Sequence, residues 1–237
     1  MTQPVVLSIQ VGQPVEYGQP GANDPMDQPW TTSFVKAPVA GPLVLGLTNL
    51  DGDAQADLVH HGGPDKAVLC YSAHHYPPWR GELNRLDLAA GDFGENLTIL
   101  GLTEADVCIG DIWRVGDALT QITQPRQPCW KLARRWRIKD LALQVQQTGR
   151  TGWYLRVLTP GTVAAGLPLT LVERPFPEWS VDRANGLMHL DKHNHALAAT
   201  LASIPPLSAS WKTTLTLRAE HGVQPDAPRR LHGLESG

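Results

Sequence analysis

The sequence predicts a mainly β fold, a barrel or closed sheet with flanking helices, followed by a small helical domain. Three observations carry this. Short apolar runs rich in β-branched residues recur up to residue 173. Gly-Asp turns separate many of them, as in "GDFGENLTILGLTEADVCIGDIWRVGD", which favours a barrel over a parallel doubly wound sheet. After "ERPFPEW" the composition shifts to helical segments punctuated by a Pro pair.

Each element follows from local chemistry. Residues 4–11 ("PVVLSIQV") read as a first strand, and residues 12–30 are so dense in Gly, Pro, Asn and Asp that they read as loop. Residues 34–50 hold one or two short strands, which Pro38 and Pro42 confine to edges or ends. Ala67 to Tyr71 is a buried strand, and residues 72–89 are a helical region interrupted by Pro77 and Pro78. Ala118 to Thr123 is a strand, Trp130 to Thr148 is helical with Gly149 as C-cap, and strands follow at 153–158 and 167–173. Three helical segments come next, divided at Leu190–Lys192 and Pro205–Pro206, with Ser180 and Ser208 as N-caps. The predicted domains are 1–175, 176–221, and a disordered tail over 222–237.

Composition removes several classes of function. At 237 residues, 42% hydrophobic and 18% charged, the chain can bury a large core. A net charge of −3 gives the surface as a whole no attraction for nucleic acid or anionic membrane, so any positive site must be local. The start lacks the pattern of a signal peptide, and no window approaches eighteen uninterrupted apolar residues, so no spanning helix is expected. Three widely separated cysteines, Cys70, Cys108 and Cys129, make no CxxC pair and no disulfide framework, and the cytoplasm is the expected compartment.

The stretch "QPRQPCWKLARRW" concentrates the chemistry. Cys129 falls in a turn between strand and helix, stiffened by Pro125 and Pro128. Arg126, Lys131, Arg134, Arg135, Arg137 and Lys139 surround it, with no acidic residue between Asp117 and Asp140. A helix start and clustered cations both favour a thiolate, which is a nucleophile or a soft-metal ligand. The competing reading is a small buried hydrophobe beside a solvated helix face. The proline flanks and the charge favour chemistry. Cys70 and Cys108 sit in apolar contexts and read as packing.

Other motifs carry less. "HHGGPDKAVLCY" sets His61 in a Gly turn that lets backbone N–H groups approach a ligand, or is an ordinary turn. In "GDFGENLTI", Asn96 could offer an amide to a heterocycle. "HLDKHNH" spaces His189 and His193 along one helix face but lacks the HExxH pattern, so surface histidines are the better reading. No GxSxG or P-loop occurs, and the C-terminal helices carry no basic excess for binding DNA.

"HHGGPDKAVLCY", "GDFGENLTILGLTEADVCIGDIWRVGDALTQITQPRQPCWKL" and "TGWYLRVLTPGTV" together resemble the MOSC domain. The chain is most similar to the stand-alone bacterial MOSC proteins that protect against hydroxylaminopurine. The segment "SVDRANGLMHL…PLSASWKTTLTLR" resembles the small three-helix domain of that subgroup. The resemblance implies a distorted closed β-barrel and a molybdenum cofactor, molybdopterin carrying one molybdenum atom, bound in a cationic cleft. It implies Cys129 as the molybdenum ligand, with Lys36, His61, Asn96 and Arg126 as cofactor contacts. Lys131, in the basic run, joins them on the same implication, and His75 in "AHHYPPW" would line the substrate entrance.

The implied reaction is reduction of N-hydroxylated nucleobases and related compounds to the amine, with electrons from a flavin-containing reductase. The alternatives are a cofactor or sulfur carrier using Cys129 as its thiol, and a thiol hydrolase or transferase pairing Cys129 with His61. The three-helix appendage is a candidate contact for a homodimer.

Overall fold

The computed structural model describes residues 3–233. Its strands, in chain order, are β1 (Val5–Val11), β2 (Val15–Tyr17), β3 (Trp30–Thr32), β4 (Ala37–Pro38), β5 (Leu43–Leu45), β6 (Val68–Ser72), β7 (Leu97–Leu100), β8 (Ile112–Val115), β9 (Ala118–Pro125), β10 (Trp153–Thr159), β11 (Gly161–Val163) and β12 (Leu169–Glu173). The helices are α1 (Tyr76–Glu82), α2 (Lys131–Trp136), α3 (Leu141–Thr148), α4 (Val181–His189), α5 (His195–Ala202), α6 (Ala209–His221) and α7 (Ala227–His232). No helix among the described residues is long and apolar enough to cross a membrane.

Eight strands form one sheet in the order β12-β8-β9-β10-β6-β7-β1-β4, antiparallel except for β6 beside β7. The expected closed barrel is not formed. The start of β1 meets the β12 side at a single bridge, Val5 to Pro168, with backbone bonds from Val6 N to Leu167 O, from Leu169 N to Pro4 O and from Gly166 N to Val6 O. Pro4 has no N–H to return to Leu169 O, Leu167 N turns to Ala164 O, and the far half of β1 is occupied by β4, so the ladder does not extend through the junction.

Most expected elements are present with local adjustments. Pro77 and Pro78 begin α1 rather than interrupt a helix, because a first-turn residue needs no N–H partner. The helix expected over 130–148 breaks in two, since Arg137 adopts a left-handed φ of 55° at the end of α2. Gly149 caps α3 as expected, and the Ser180 and Ser208 hydroxyls accept from Arg183 N and Trp211 N. The loop expected over 12–30 contains β2, which pairs with β3 and is too short for periodicity to reveal. The tail is not disordered over its described part. α7 buries Leu231 against Leu132, Trp136 and Val145, with Asp226 as its N-cap. Residues 234–237 of the expected tail lie outside the described residues.

One apolar core runs from Val6, Ile99 and Ile122 in the sheet to Trp179, Leu187 and Trp211 of the three-helix unit. Burial of this kind contributes roughly 1.5–3 kcal/mol per large side chain. A second cluster under α1, α2 and α3 stacks Tyr71 on Phe93 at 4.7 Å. The ends of β9 and β10, the 52–66 loop and the start of α2 meet between these two cores, and the cleft opens there.

Candidate functional site

The site is built on the turn leaving β9. Arg126 N bonds to Gly152 O at 3.0 Å, and Cys129 sits just before α2. Gly152 has φ 74°, and a Cβ there would stand 2.2 Å from Cys70 O, so only glycine lets β10 approach β6 this closely. The turn is clamped from outside by α7. Trp130 N donates to Arg230 O at 2.9 Å, and the Arg230 guanidinium donates to Pro128 O.

Cys129, His61, Lys36, Asn96, Arg126 and Lys131 all line one cleft. Cys129 is a free, buried thiol, and its Sγ lies 4.0 Å from His61 Nε2. Burial, reinforced by the Lys131 ammonium and opposed by Asp57, pushes His61 down to about 3. His61 is therefore a neutral imidazole at physiological pH.

Arg126 is 4% exposed, its Nη1 has no partner among the described residues, and its guanidinium lies over the Phe34 ring at 5.7 Å. The hydroxyl of Ser33, in the same cleft, is also buried without a partner. Buried donors left unpaired cost about 1–3 kcal/mol each, more for a charge, so the cleft is shaped for an acceptor-rich, anionic ligand.

Two expected residues have different roles. Asn96 faces the cleft, but its amide is committed. Nδ2 donates to Asp53 Oδ2 at 2.9 Å and Gln10 O at 3.3 Å, and Oδ1 accepts from Leu69 N. Asn96 thus holds the wall and has no donor left for a heterocycle, a commitment invisible in "GENLT". His75 does not line this cleft. It is 8% exposed, bonded through Nε2 to Glu104 at 2.7 Å, and edge-on to Tyr71. Lys36 is present but paired with Asp53, which also accepts from Gly12 N at 2.8 Å. Burial holds the Lys36 ammonium below its ordinary range, and Asp53 opposes that shift.

The structure also adds residues that the sequence left unmarked. Asp53, Ser33, Lys66 and Tyr154 line the cleft, and burial pushes the Tyr154 phenol up to about 12. "TGWYLRV" had been singled out as a motif, but nothing in it distinguished Tyr154 as a wall of the site. The His189, His193 and His195 group forms no cage, and no three His, Cys, Asp or Glu side chains among the described residues cluster as one.

Two domain families match the chain: the MOSC domain over residues 57–170, and the "YiiM-like, 3-alpha helix domain" over residues 179–222. YflK of Bacillus subtilis (strain 168) is 44% identical over 209 residues, spanning 88% of this chain and 91% of that protein. This chain belongs to the MOSC family. Its YiiM-like arrangement extends to the tertiary level. The crystal structure of YiiM from Geobacillus stearothermophilus superposes with a TM-score of 0.76 at 38% identity, covering 91% of this chain and 99% of that one. A protein of Gibberella moniliformis (strain M3125 / FGSC 7600) named "Reductase" is 40% identical over 154 residues, 64% of this MOSC chain but 27% of its own length.

The cleft fits the cofactor that the MOSC family implies. A lone free thiol suits a metal ion that arrives with its own ligands, and the unpaired Arg126 and Ser33 donors suit a phosphate beside it.

Proposed function

We propose that this MOSC protein is a molybdenum-cofactor-dependent reductase of N-hydroxylated nucleobases and related N-hydroxylated compounds. The observation that carries the reading is the pairing of a free Cys129 thiol with a buried, unpartnered Arg126 in one cleft. Membership of the MOSC family and the likeness to part of a protein named "Reductase" support it.

Balanced, the reaction takes R–NHOH, two electrons and two protons to R–NH₂ and water. The N–O bond breaks, and the electrons come from a flavin-containing reductase. The cofactor, when bound, would supply the two-electron chemistry. This chain's residues bind and orient. Cys129 would be the protein ligand to molybdenum, Arg126, Lys131 and Ser33 would hold the anionic end of the cofactor, and Lys36 and Asn96 fix Asp53 in the wall. His61, neutral beside the sulfur, acts as a hydrogen-bonding neighbour of Cys129 rather than a charged acid. Tyr154 keeps its proton and lines the wall of the cleft.

The test is expression in a host that makes the molybdenum cofactor, followed by molybdenum content and 6-hydroxylaminopurine reduction. Wild type should carry molybdenum and reduce the base. Cys129→Ser should lose activity, and Arg126→Ala should copurify with less metal. Wild type without molybdenum, together with a fully active Cys129→Ser, would overturn the reading. Metal binding with no reduction would favour the carrier reading instead.

A further inference from the structure

The cleft around Cys129 has a second chamber. Six residues, Asp57, His61, Lys66, Cys129, Lys131 and Tyr154, line both the first recess, of about 70 Å³, and a larger one of about 460 Å³. The recess holding Arg126 and Ser33 has the unpaired buried donors. The second chamber has a different outer wall, made by Gln127, by Ser210 of α6, and by Asp226, Arg229 and Arg230 around α7. The matched three-helix domain stops at residue 222, so Asp226, Arg229 and Arg230 of this wall come from a segment beyond it, while Ser210 belongs to the domain itself.

The wall is held firmly. Leu231 is 5% exposed, Arg230 is tied to Pro128 O and Gln146, and Trp130 N bonds to Arg230 O. A Cβ on Gly233 would stand 2.7 Å from the Trp130 ring, so the chain after α7 lies directly on the residue following Cys129.

The charge in this chamber is lopsided. Lys66, Lys131, Arg229 and Arg230 face Asp57 and Asp226, and both carboxylates are already engaged. Asp57 accepts from His60 at 2.9 Å and from two backbone N–H groups, and Asp226 caps α7 through Arg229 N. The side chains of Lys131 and exposed Arg229 make no ion pair or hydrogen bond among the described residues. A bare purine needs no cations, and a chamber of about 460 Å³ falls in the range of about 300–1,000 Å³ that buries whole drug-sized ligands. A nucleotide brings both the size and the charge.

We propose that the second chamber is a substrate subsite for a phosphate monoester of an N-hydroxylated purine nucleoside, with Arg229 on the phosphate. The inference rests on the proposed reductase reading for which side of Cys129 the substrate occupies.

The test uses the full chain without cofactor and measures equilibrium binding of AMP, adenosine and inorganic phosphate by calorimetry. AMP stands in for the reduced product. Wild type should bind AMP about 10-fold more tightly than adenosine, the scale of one or two charge-assisted hydrogen bonds. Arg229→Ala should bring the two within about 2-fold, Arg229→Lys should keep most of the preference, and added salt should erode it. Equal binding of AMP and adenosine by wild type overturns the proposal, as does a preference unchanged in Arg229→Ala. A preference lost in Arg126→Ala but kept in Arg229→Ala also overturns it, by placing the phosphate in the first recess. No metal is needed, so failure here is distinguishable from failure of molybdenum loading or base reduction.

Discussion

Replacing Asp53 by alanine tests the wall of the cleft. The Asp53 side chain is 1% exposed, and it accepts from Gly12 N, Asn96 Nδ2 and the Lys36 ammonium, itself 7% exposed. Removing it leaves a buried cation and two amide donors unpaired. Breaking a buried ion pair from one side costs about 3–5 kcal/mol. The two amides would add about 1–3 kcal/mol each if they stayed dry. The cleft adjoins this network and can admit water, and losses at shared partners are not additive, so we expect about 3–5 kcal/mol in all. For a chain of this size that is a fall in Tm of roughly 6–20 °C. Urea and thermal unfolding of wild type, Asp53→Ala and Lys36→Met/Asp53→Leu measure it, and the double variant should recover more than half of the loss. The pH dependence has a definite sign. Burial already lowers Lys36, and losing Asp53 lowers it further, so above its folded value the unfolded chain holds a proton that the folded chain does not. The deficit of Asp53→Ala should therefore shrink as pH rises toward 10. A loss under 1 kcal/mol, or a double variant no better than the single one, refutes the argument.

Two further outcomes follow from buried groups. Burial, aided by Arg230, Lys192 and Arg218, pushes His189 down to about 3, so between that value and its unfolded 6.5 the unfolded state binds the extra proton. Stability should fall as pH drops through this window, by about 2 kcal/mol at pH 5 for this group, and His189→Leu should flatten that part of the curve in chemical denaturation. Gly152→Ala should cost more than about 3 kcal/mol, because its Cβ meets Cys70 O and its φ is left-handed. A soluble variant with wild-type Tm would show that β10 can draw away from β6 without loss.

The sequence by itself determined the sheet-rich class of the fold, most strands, the caps at Ser180 and Ser208, and the place of Cys129 in a turn before a helix. These are local properties: alternation, turn residues, capping hydroxyls, and a cysteine between prolines and cations. It also brought together Lys36, His61, Asn96, Arg126 and Lys131, through motif resemblance rather than through spacing. Only tertiary structure decided what each of them does. Arg126 is free because nothing folds onto its Nη1, whereas Asn96 is spent on Asp53, Gln10 and Leu69, partners as far as 86 positions away. His75 went to Glu104 in the interior because its strand and helix turn it inward. The barrel stays open where Pro4 has no N–H to return to Leu169 O and Leu167 N turns to Ala164 O. The tail read as disordered because Pro, Arg and Gly dominate it, yet Leu231 and Arg230 find burial and a carbonyl on the cysteine turn about 100 residues earlier. Composition records what a segment can do alone, and long-range contacts decide what it does in the fold.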